Sequence, residues 1–509
     1  MAITDGRTKA VKAYGDFQTP LALAQAATQL LRRLGIRPRS ILEPSCGRGA
    51  FVAAAAASFP EANTIIGVDI NRHHLSVAET ALAPYGRRVV LRPGDFFKLD
   101  WQNLIAGADG PWLILGNPPW VTSSALGAIG SDNIPEKSNF HRRKGIEAIT
   151  GKSNFDISEW MLLRYLDWLE GGCGTIAVLC KTSVARKILL HVWQKDVPVH
   201  RAQLHKIDAL GHFGAAAEAC LFVLELRPDG HAKDCGVFDT LDAESPLHAV
   251  GFLDGQLVAD AAVVEKYRGL LGSDLHYVWR SGVKHDCAKV MELRRIPGGY
   301  ENGLSEAVVL EDRVLFPMLK SSDIGNRRLD CRGAMLVPQK TVGEDIGFLQ
   351  AAAPRTWDYL SRHAAHLDRR RSIIYRNKPR FSVFGVGPYS FAPWKVAVSG
   401  FYKKLRFVKI GPVNGRPVVF DDTVYFLACR SEQEADFIEA LLCSDAAQAI
   451  LHAMIHWDEK RPVTASILKR LSIQKLAASL GREDDYSRFA NPDNAVDRPP
   501  LRLLRASAR

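Results

Sequence analysis

The sequence predicts an α/β fold in its first half, a doubly wound sheet of seven strands, followed by a mixed α+β second domain. Three observations carry this. Short apolar runs of strand length alternate with helical periodicity from Ser40 to Leu226. A glycine-containing turn, Glu43-Pro44-Ser45-Cys46-Gly47-Arg48-Gly49, joins the first run to the first helix. Beyond Leu226 the turn-rich stretch RPDGHAKD, Arg227 to Asp234, ends the alternation.

In chain order, the strands are Ser40–Leu42, Thr64–Asp69, Arg88–Leu91, Trp112–Leu115, Gly174–Cys180, Gln203–Ala209 and Cys220–Leu226. Helical patterns fill Ala50–Ser58, Arg72–Leu82, Ile157–Glu170 and Thr182–Gln194. The polar stretch from Val121 to Ser153 predicts a long lid or substrate clamp, or else a disordered loop. This organisation divides the chain into residues 1–230, a second domain 231–480 and a loosely ordered basic tail 481–509.

Composition narrows the class. A chain of 509 residues, 47% hydrophobic and 24% charged, buries real cores and is neither disordered nor fibrous. No apolar run approaches the ~18–20 residues of a membrane span, and Met1–Lys12 lacks a signal-peptide core. Nine cysteines with no Cys-x-x-Cys pair argue against a disulfide framework or zinc site, so the expectation is a reduced, cytoplasmic chain without structural metal. Lys and Arg number 66 against 55 Asp and Glu, a net charge of +11 that suits a polyanionic partner.

The candidate chemistry lies at the carboxyl ends of the early strands, where ligands of doubly wound sheets bind. The glycine turn brings backbone N–H groups close to a ligand. The second strand ends in Asp69, 22 residues beyond Gly47 and near the spacing of an acid that binds ribose hydroxyls. The third ends in Gly94-Asp95-Phe96-Phe97, a carboxylate and an aromatic suited to an adenine ring. The fourth ends in Asn117-Pro118-Pro119-Trp120. Its prolines remove backbone donors and stiffen the turn, leaving the Asn117 side-chain oxygen and the Pro118 carbonyl to accept both N–H groups of one exocyclic amine. Such a grip aims the amine's lone pair at an electrophilic methyl group without a strong base. Trp120 supplies a face on which an extruded base stacks.

These motifs resemble, in their order, the gamma class of S-adenosylmethionine-dependent DNA amino-methyltransferases, most closely the adenine-N6 members. The likeness spans roughly Phe17 to Leu226 and implies the Rossmann-like fold of class I methyltransferases. It implies cofactor contacts by Phe17, Thr19, Pro20, Glu43, Ser45, Cys46, Gly47, Asp69, Ile70, Asp95 and Phe96. It implies catalysis by Asn117, Pro118, Pro119 and Trp120, with Trp120 and Phe213 stacking on the flipped base. The family more often has Tyr or Phe at the fourth tetrapeptide position. For Asp156 and Glu159, in SNFDISEW, helix N-terminal roles are expected. No Pro-Cys dipeptide exists, which excludes cytosine-C5 chemistry.

The second half bears a loose likeness to target-recognition domains. Arg369, Arg370, Arg371, Arg376, Lys378, Arg380, Lys403 and Lys404 are candidates for contacts to double-stranded DNA, with Tyr375, Tyr389, Trp394 and Tyr402 as wedge or stacking residues. The expected setting is restriction-modification or phage defence, with any nuclease a separate chain. Alternatives are a cytosine-N4, RNA or protein-amide acceptor on the same fold, or a partner-dependent DNA-recognition subunit.

Overall fold

A computed structural model describes residues 17–121 and 156–490. The expected lid at Val121–Ser153, apart from Val121, and the tail beyond Ala490 lie outside them. The chain forms two compact units, Met1–Ala261 and Ala262–Arg509.

In the first unit, α1 (Leu21–Arg33) precedes β1 (Ser40–Glu43), α2 (Ala50–Ser58), β2 (Thr64–Asp69), α3 (Arg72–Leu82), β3 (Val89–Pro93), α4 (Trp101–Ile105) and β4 (Trp112–Gly116). Then come α5 (Ile157–Trp168), β5 (Gly174–Lys181), α6 (Thr182–Gln194), β6 (Val199–Ile207), α7 (Ala209–Phe213) and β7 (Ala219–Leu226). All seven expected strands form, in the order β6-β7-β5-β4-β1-β2-β3. Strands β1 to β5 run parallel, while β7 is antiparallel to both β5 and β6.

Pleating sends alternate residues to opposite faces. Leu42 and Ile66 join the core beneath α5 and α6, whereas Ile41 and Ile65 join the one beneath α1, α2 and α3. The sheet is therefore covered on both faces, which explains the nearly continuous apolar runs that made its strands visible.

The sheet is wider than expected. β8 (Asp234–Phe238), β9 (His248–Leu253) and β10 (Gln256–Val258) extend it to ten strands, with β8 pairing parallel to β6. The boundary expected near residue 230 consequently moves to Ala261. Cys235, Val237 and Val250 bury against the same core as Trp193, whose indole N–H donates to Ala232 O at 2.8 Å. These strands pair the edge of β6 that would otherwise present open backbone groups.

Among the described residues the second unit contains two sheets. One has four strands ordered Arg280–Ser281, Val424–Cys429, Trp394–Ser399 and Phe407–Ile410. The other has six, ordered Ala307–Val308, Gly299–Glu301, Glu292–Ile296, Gly333–Leu336, Leu315–Leu319 and Val419–Phe420. The mixed α+β character expected there is present. Part of the expected loose tail is regular, since Glu483–Ala490 is a helix with Tyr486 buried. Among the described residues no single helix is long and apolar enough to cross a membrane.

Candidate active site

Strand order reverses at β1, which lies between β2 and β4, and the crevice at its carboxyl end is where a doubly wound sheet places a ligand. There the chain turns through Pro44–Gly49 into α2. Gly47 and Gly49 take positive φ values of 50° and 81°, conformations that favour glycine. The Gly47 N–H donates to Asp69 Oδ2 at 2.7 Å and the Asn71 N–H to Asp69 Oδ1 at 2.8 Å. Each oxygen keeps a second lone pair, so a half-buried Asp69 can still accept from ligand hydroxyls.

Gln18 crosses this turn. Its Oε1 accepts from the Arg48 N–H at 3.0 Å and would lie only 2.6 Å from any Cβ placed on Gly47. Thr19 and Pro20 are half-buried beside it, and the Pro20 carbonyl begins α1 by accepting from Leu23 and Ala24. Ser45 is half-buried in the turn, and Ile70 is 56% exposed just beyond Asp69.

Glu43 is only 3% exposed. Its Oε2 accepts from the Val52 N–H of α2 at 3.0 Å. Burial pushes its carboxyl well above the usual range, the Val52 bond opposes that, and nearby Asp69 adds to it. Burial, with Glu43 and Asp69 alongside, likewise raises the Cys46 thiol, which makes it an unreactive packing group.

At the end of β3, Asp95 Oδ1 accepts from the Phe97 N–H at 2.9 Å while Oδ2 pairs with Lys98 at 3.4 Å. The Phe96 ring faces inward, with centroids of Trp101, Trp160, Trp168 and Tyr165 between 5.1 and 6.1 Å away. It supports the Asp95 turn from beneath instead of presenting an open face to a ring.

The end of β4 carries the tetrapeptide. Asn117 Nδ2 donates to Phe17 O at 3.2 Å, while Asn117 Oδ1 is buried and has no hydrogen-bond partner among the described residues. Pro118 is buried and Pro119 half-buried. Trp120 packs with Phe17 and Phe213, the three centroids separated by 6.2, 6.0 and 5.2 Å. Its indole N–H donates to Leu179 O at 3.2 Å. Phe213 ends the short helix α7, begun by Asp208, whose Oδ1 accepts from the Gly211 N–H at 2.9 Å.

Three residue groups far apart in sequence thus meet at the ends of β1, β2 and β4. Two members were not singled out from sequence. Gln18 sat unremarked inside the Phe17–Pro20 motif, and Lys181, the last residue of β5, carries no local signal. Asp156 caps α5 as expected, accepting from the Ser158 N–H at 3.2 Å, and the buried Glu159 pairs with Lys187 at 2.5 Å.

In the second unit the expected basic surface is partly corrected. Arg369, Arg371, Arg376, Lys378, Lys403 and Lys404 are exposed, and Arg380 is exposed but paired to Asp368 at 2.8 Å. Arg370 is a structural residue. Its guanidinium donates to the carbonyls of Leu367, Ser382 and His285 at 2.7, 2.7 and 3.3 Å and lies 3.8 Å from the Tyr375 ring centroid. The aromatic candidates are similarly engaged. Tyr375 donates to Lys284 O at 3.3 Å, Tyr389 packs under Arg280 at 4.5 Å, Trp394 faces Lys409 at 5.4 Å, and the Tyr402 hydroxyl accepts from Asn326 at 2.8 Å.

The strand order, the glycine turn after β1 and the additional unit define a class I methyltransferase fold bearing a second domain. No profile of a known protein family matches the chain. Individual relatives do. The chain is 43% identical over 466 residues to Type II methyltransferase M.NspV of Nostoc sp. (strain ATCC 29411 / PCC 7524), covering 91% of this chain and 97% of that one. The chain belongs to the Type II methyltransferases. A shorter likeness, 27% over 179 residues, covers 35% of this chain and 49% of a ribosomal RNA small subunit methyltransferase C of Pseudomonas putida. Among solved structures, the Type IIL restriction-modification enzyme MmeI in complex with DNA shares the fold, with a TM-score of 0.51 at 12% identity over 93% of this chain and 69% of that one.

Proposed function

We propose that this Type II methyltransferase is a site-specific DNA methyltransferase acting on the N6 amine of an adenine extruded from the duplex, within a restriction-modification or phage-defence system. The observation that carries the reading is Asn117: its Nδ2 is committed to Phe17 O, while its Oδ1 is buried and without a partner among the described residues. A buried acceptor left unpaired is costly unless something else supplies the donor. An exocyclic amine does so, donating one N–H to Asn117 Oδ1 and the other to the Pro118 carbonyl. Half-buried Phe213 offers the aromatic surface for stacking, backed by Trp120, which is packed against it at 5.2 Å and largely buried, so that stacking on Trp120 itself requires the pocket to open.

The residues around β1 and β2 fit S-adenosylmethionine as cofactor. Gly47, without a Cβ, lets Gln18 lie across the turn, Asp69 has acceptor capacity for ribose hydroxyls, and Asp95 follows the neighbouring strand. When bound, S-adenosylmethionine supplies an electrophilic methyl group. Phe17, Thr19, Pro20, Glu43, Ser45, Cys46 and Ile70 surround or support this crevice, with Glu43 acting from beneath through α2.

The second unit serves as the target-recognition domain. Its exposed Arg369, Arg371, Arg376, Lys378, Lys403 and Lys404 supply phosphate or base-edge contacts. Full-length likeness to a Type II methyltransferase favours duplex DNA, whereas the likeness that favours RNA covers only 35% of the chain.

The test is modification-sensitive long-read sequencing of a methylation-deficient bacterial genome expressing this chain or Asn117→Ala. A discrete motif carrying N6-methyladenine only in the first is the expected result. A motif carrying N4-methylcytosine, or none from soluble protein that binds S-adenosylmethionine, overturns the assignment.

A further inference from the structure

We infer that Lys181 is a positioning residue that holds the amine-gripping turn in its working shape; the inference rests on the Asn117 reading above. Lys181 ends β5, which pairs in parallel with β4 so that Val178 stands opposite Gly116. Three residues further on, the Lys181 ammonium donates to Trp120 O at 2.9 Å and to Asp156 Oδ2 at 2.6 Å.

The need for such a clamp follows from the turn's own sequence. Pro118 and Pro119 have no N–H, so the turn cannot be fastened through donors at those positions. Its carbonyls are the available handles, and the Pro118 carbonyl must remain open to accept from the amine. Trp120 O closes the tetrapeptide, and Lys181 takes it. The same strand holds the other side of Trp120 through the bond from its indole N–H to Leu179 O. Strand β5 therefore fixes both the backbone and the ring of the residue that completes the tetrapeptide.

The ammonium is itself held. Asp156 has a side chain only 8% exposed, and its Oδ1 accepts from the Ser158 hydroxyl at 2.7 Å, so both carboxylate oxygens are fastened. The Ile157 N–H donates to Val121 O at 2.8 Å and ties the start of α5 to the residue after the tetrapeptide. Lys181 thus joins two segments that both border the grip, without itself touching the amine.

A charged donor on a carbonyl, partly desolvated, sets the expected loss at about 10–100-fold in the rate of transfer. The experiment uses the full chain, tritiated S-adenosylmethionine and genomic DNA from a methylation-deficient bacterium. It compares wild type, Lys181→Met, Lys181→Arg, the double variant Asp156→Asn/Lys181→Met and Asn117→Ala. Single-turnover transfer, equilibrium binding of S-adenosylmethionine and thermal melting are read for each.

For Lys181→Met, the expected result is the stated loss of rate with cofactor affinity within about 3-fold of wild type, and recovery of most of that rate in Lys181→Arg. The double variant, which leaves no unpaired buried carboxylate, should melt near wild type and transfer as slowly as Lys181→Met. Wild-type rates in Lys181→Met beside an inactive Asn117→Ala overturn the role of Lys181 alone. Equal loss of cofactor binding and rate in both Lys181→Met and the double variant also overturns it, because that pattern means a merely structural part. An Asn117→Ala variant that still transfers methyl overturns the underlying reading of the grip.

Discussion

Replacing Glu43 with Gln should make the protein's stability less dependent on pH in a direction set by burial. Glu43 is 3% exposed, and burial holds its carboxyl well above the usual range. A group that binds protons more tightly in the folded state than in the unfolded one loses stability as pH rises from its unfolded value, about 4.3, to its folded value. Below that window both states are protonated, and above it both are ionised. Within it the wild type loses up to about 1.36 kcal/mol per pH unit, the cost of ionising a desolvated carboxyl. Gln retains an acceptor for the Val52 N–H, now bound at 3.0 Å, and carries no charge to desolvate. The stability difference between Glu43→Gln and wild type should therefore be small near pH 5 and grow in the variant's favour at higher pH. Denaturant midpoints taken at half-unit steps from pH 5 to 9 measure it. Parallel pH profiles for the two proteins would refute the reasoning, because they would mean that Glu43 titrates alike in folded and unfolded chains.

Gly116 takes a φ of 142°, and an added Cβ would lie 3.1 Å from Glu43 Cγ, so Gly116→Ala should destabilise by about 1–3 kcal/mol in thermal melts and slow methyl transfer as β4 shifts. Phe213→Ala should weaken stacking by about 1–3 kcal/mol, lowering transfer on DNA roughly 5–150-fold while leaving S-adenosylmethionine affinity unchanged by calorimetry. Arg370→Ala should destabilise by about 1–3 kcal/mol by denaturant melting because three carbonyls lose their donor, whereas Arg371→Ala and Arg376→Ala should each reduce the salt slope of DNA binding by about one without changing stability. Lys395 is 1% exposed and pushed down to about 7 by burial. The folded state there binds fewer protons than the unfolded one, so wild type should gain up to roughly 5 kcal/mol between pH 7 and about 10.4, a rise absent from Lys395→Met in chemical denaturation.

Adjacent residues show where sequence reading stops. Arg370 and Arg371 are the same residue type in one basic run, yet Arg370 is spent on three backbone carbonyls while Arg371 reaches solvent. The Phe96 ring belongs to an aromatic cluster that includes Trp160, Tyr165 and Trp168 from a helix more than sixty residues later. The three added strands were missed because β8 to β10 are short and incompletely buried, without the continuous apolar runs of the central strands.

From sequence alone came the seven strands, the helices α2, α3, α5 and α6, and the placement of Gly47, Asp69, Asp95 and Asn117 near strand ends, whereas α1, α4 and α7 did not. Those features obey rules that act within a few residues: alternation on a pleat, helical periodicity, and the backbone freedoms and restraints of glycine and proline. Only the tertiary structure decided that Phe17 O meets Asn117 across 100 residues, that Lys181 reaches Trp120 across 61, and that the Asn117 acceptor is buried without a partner among the described residues. Such pairings depend on the order in which strands enter the sheet, and that order is settled by burial of both faces at once, which no local window of sequence contains.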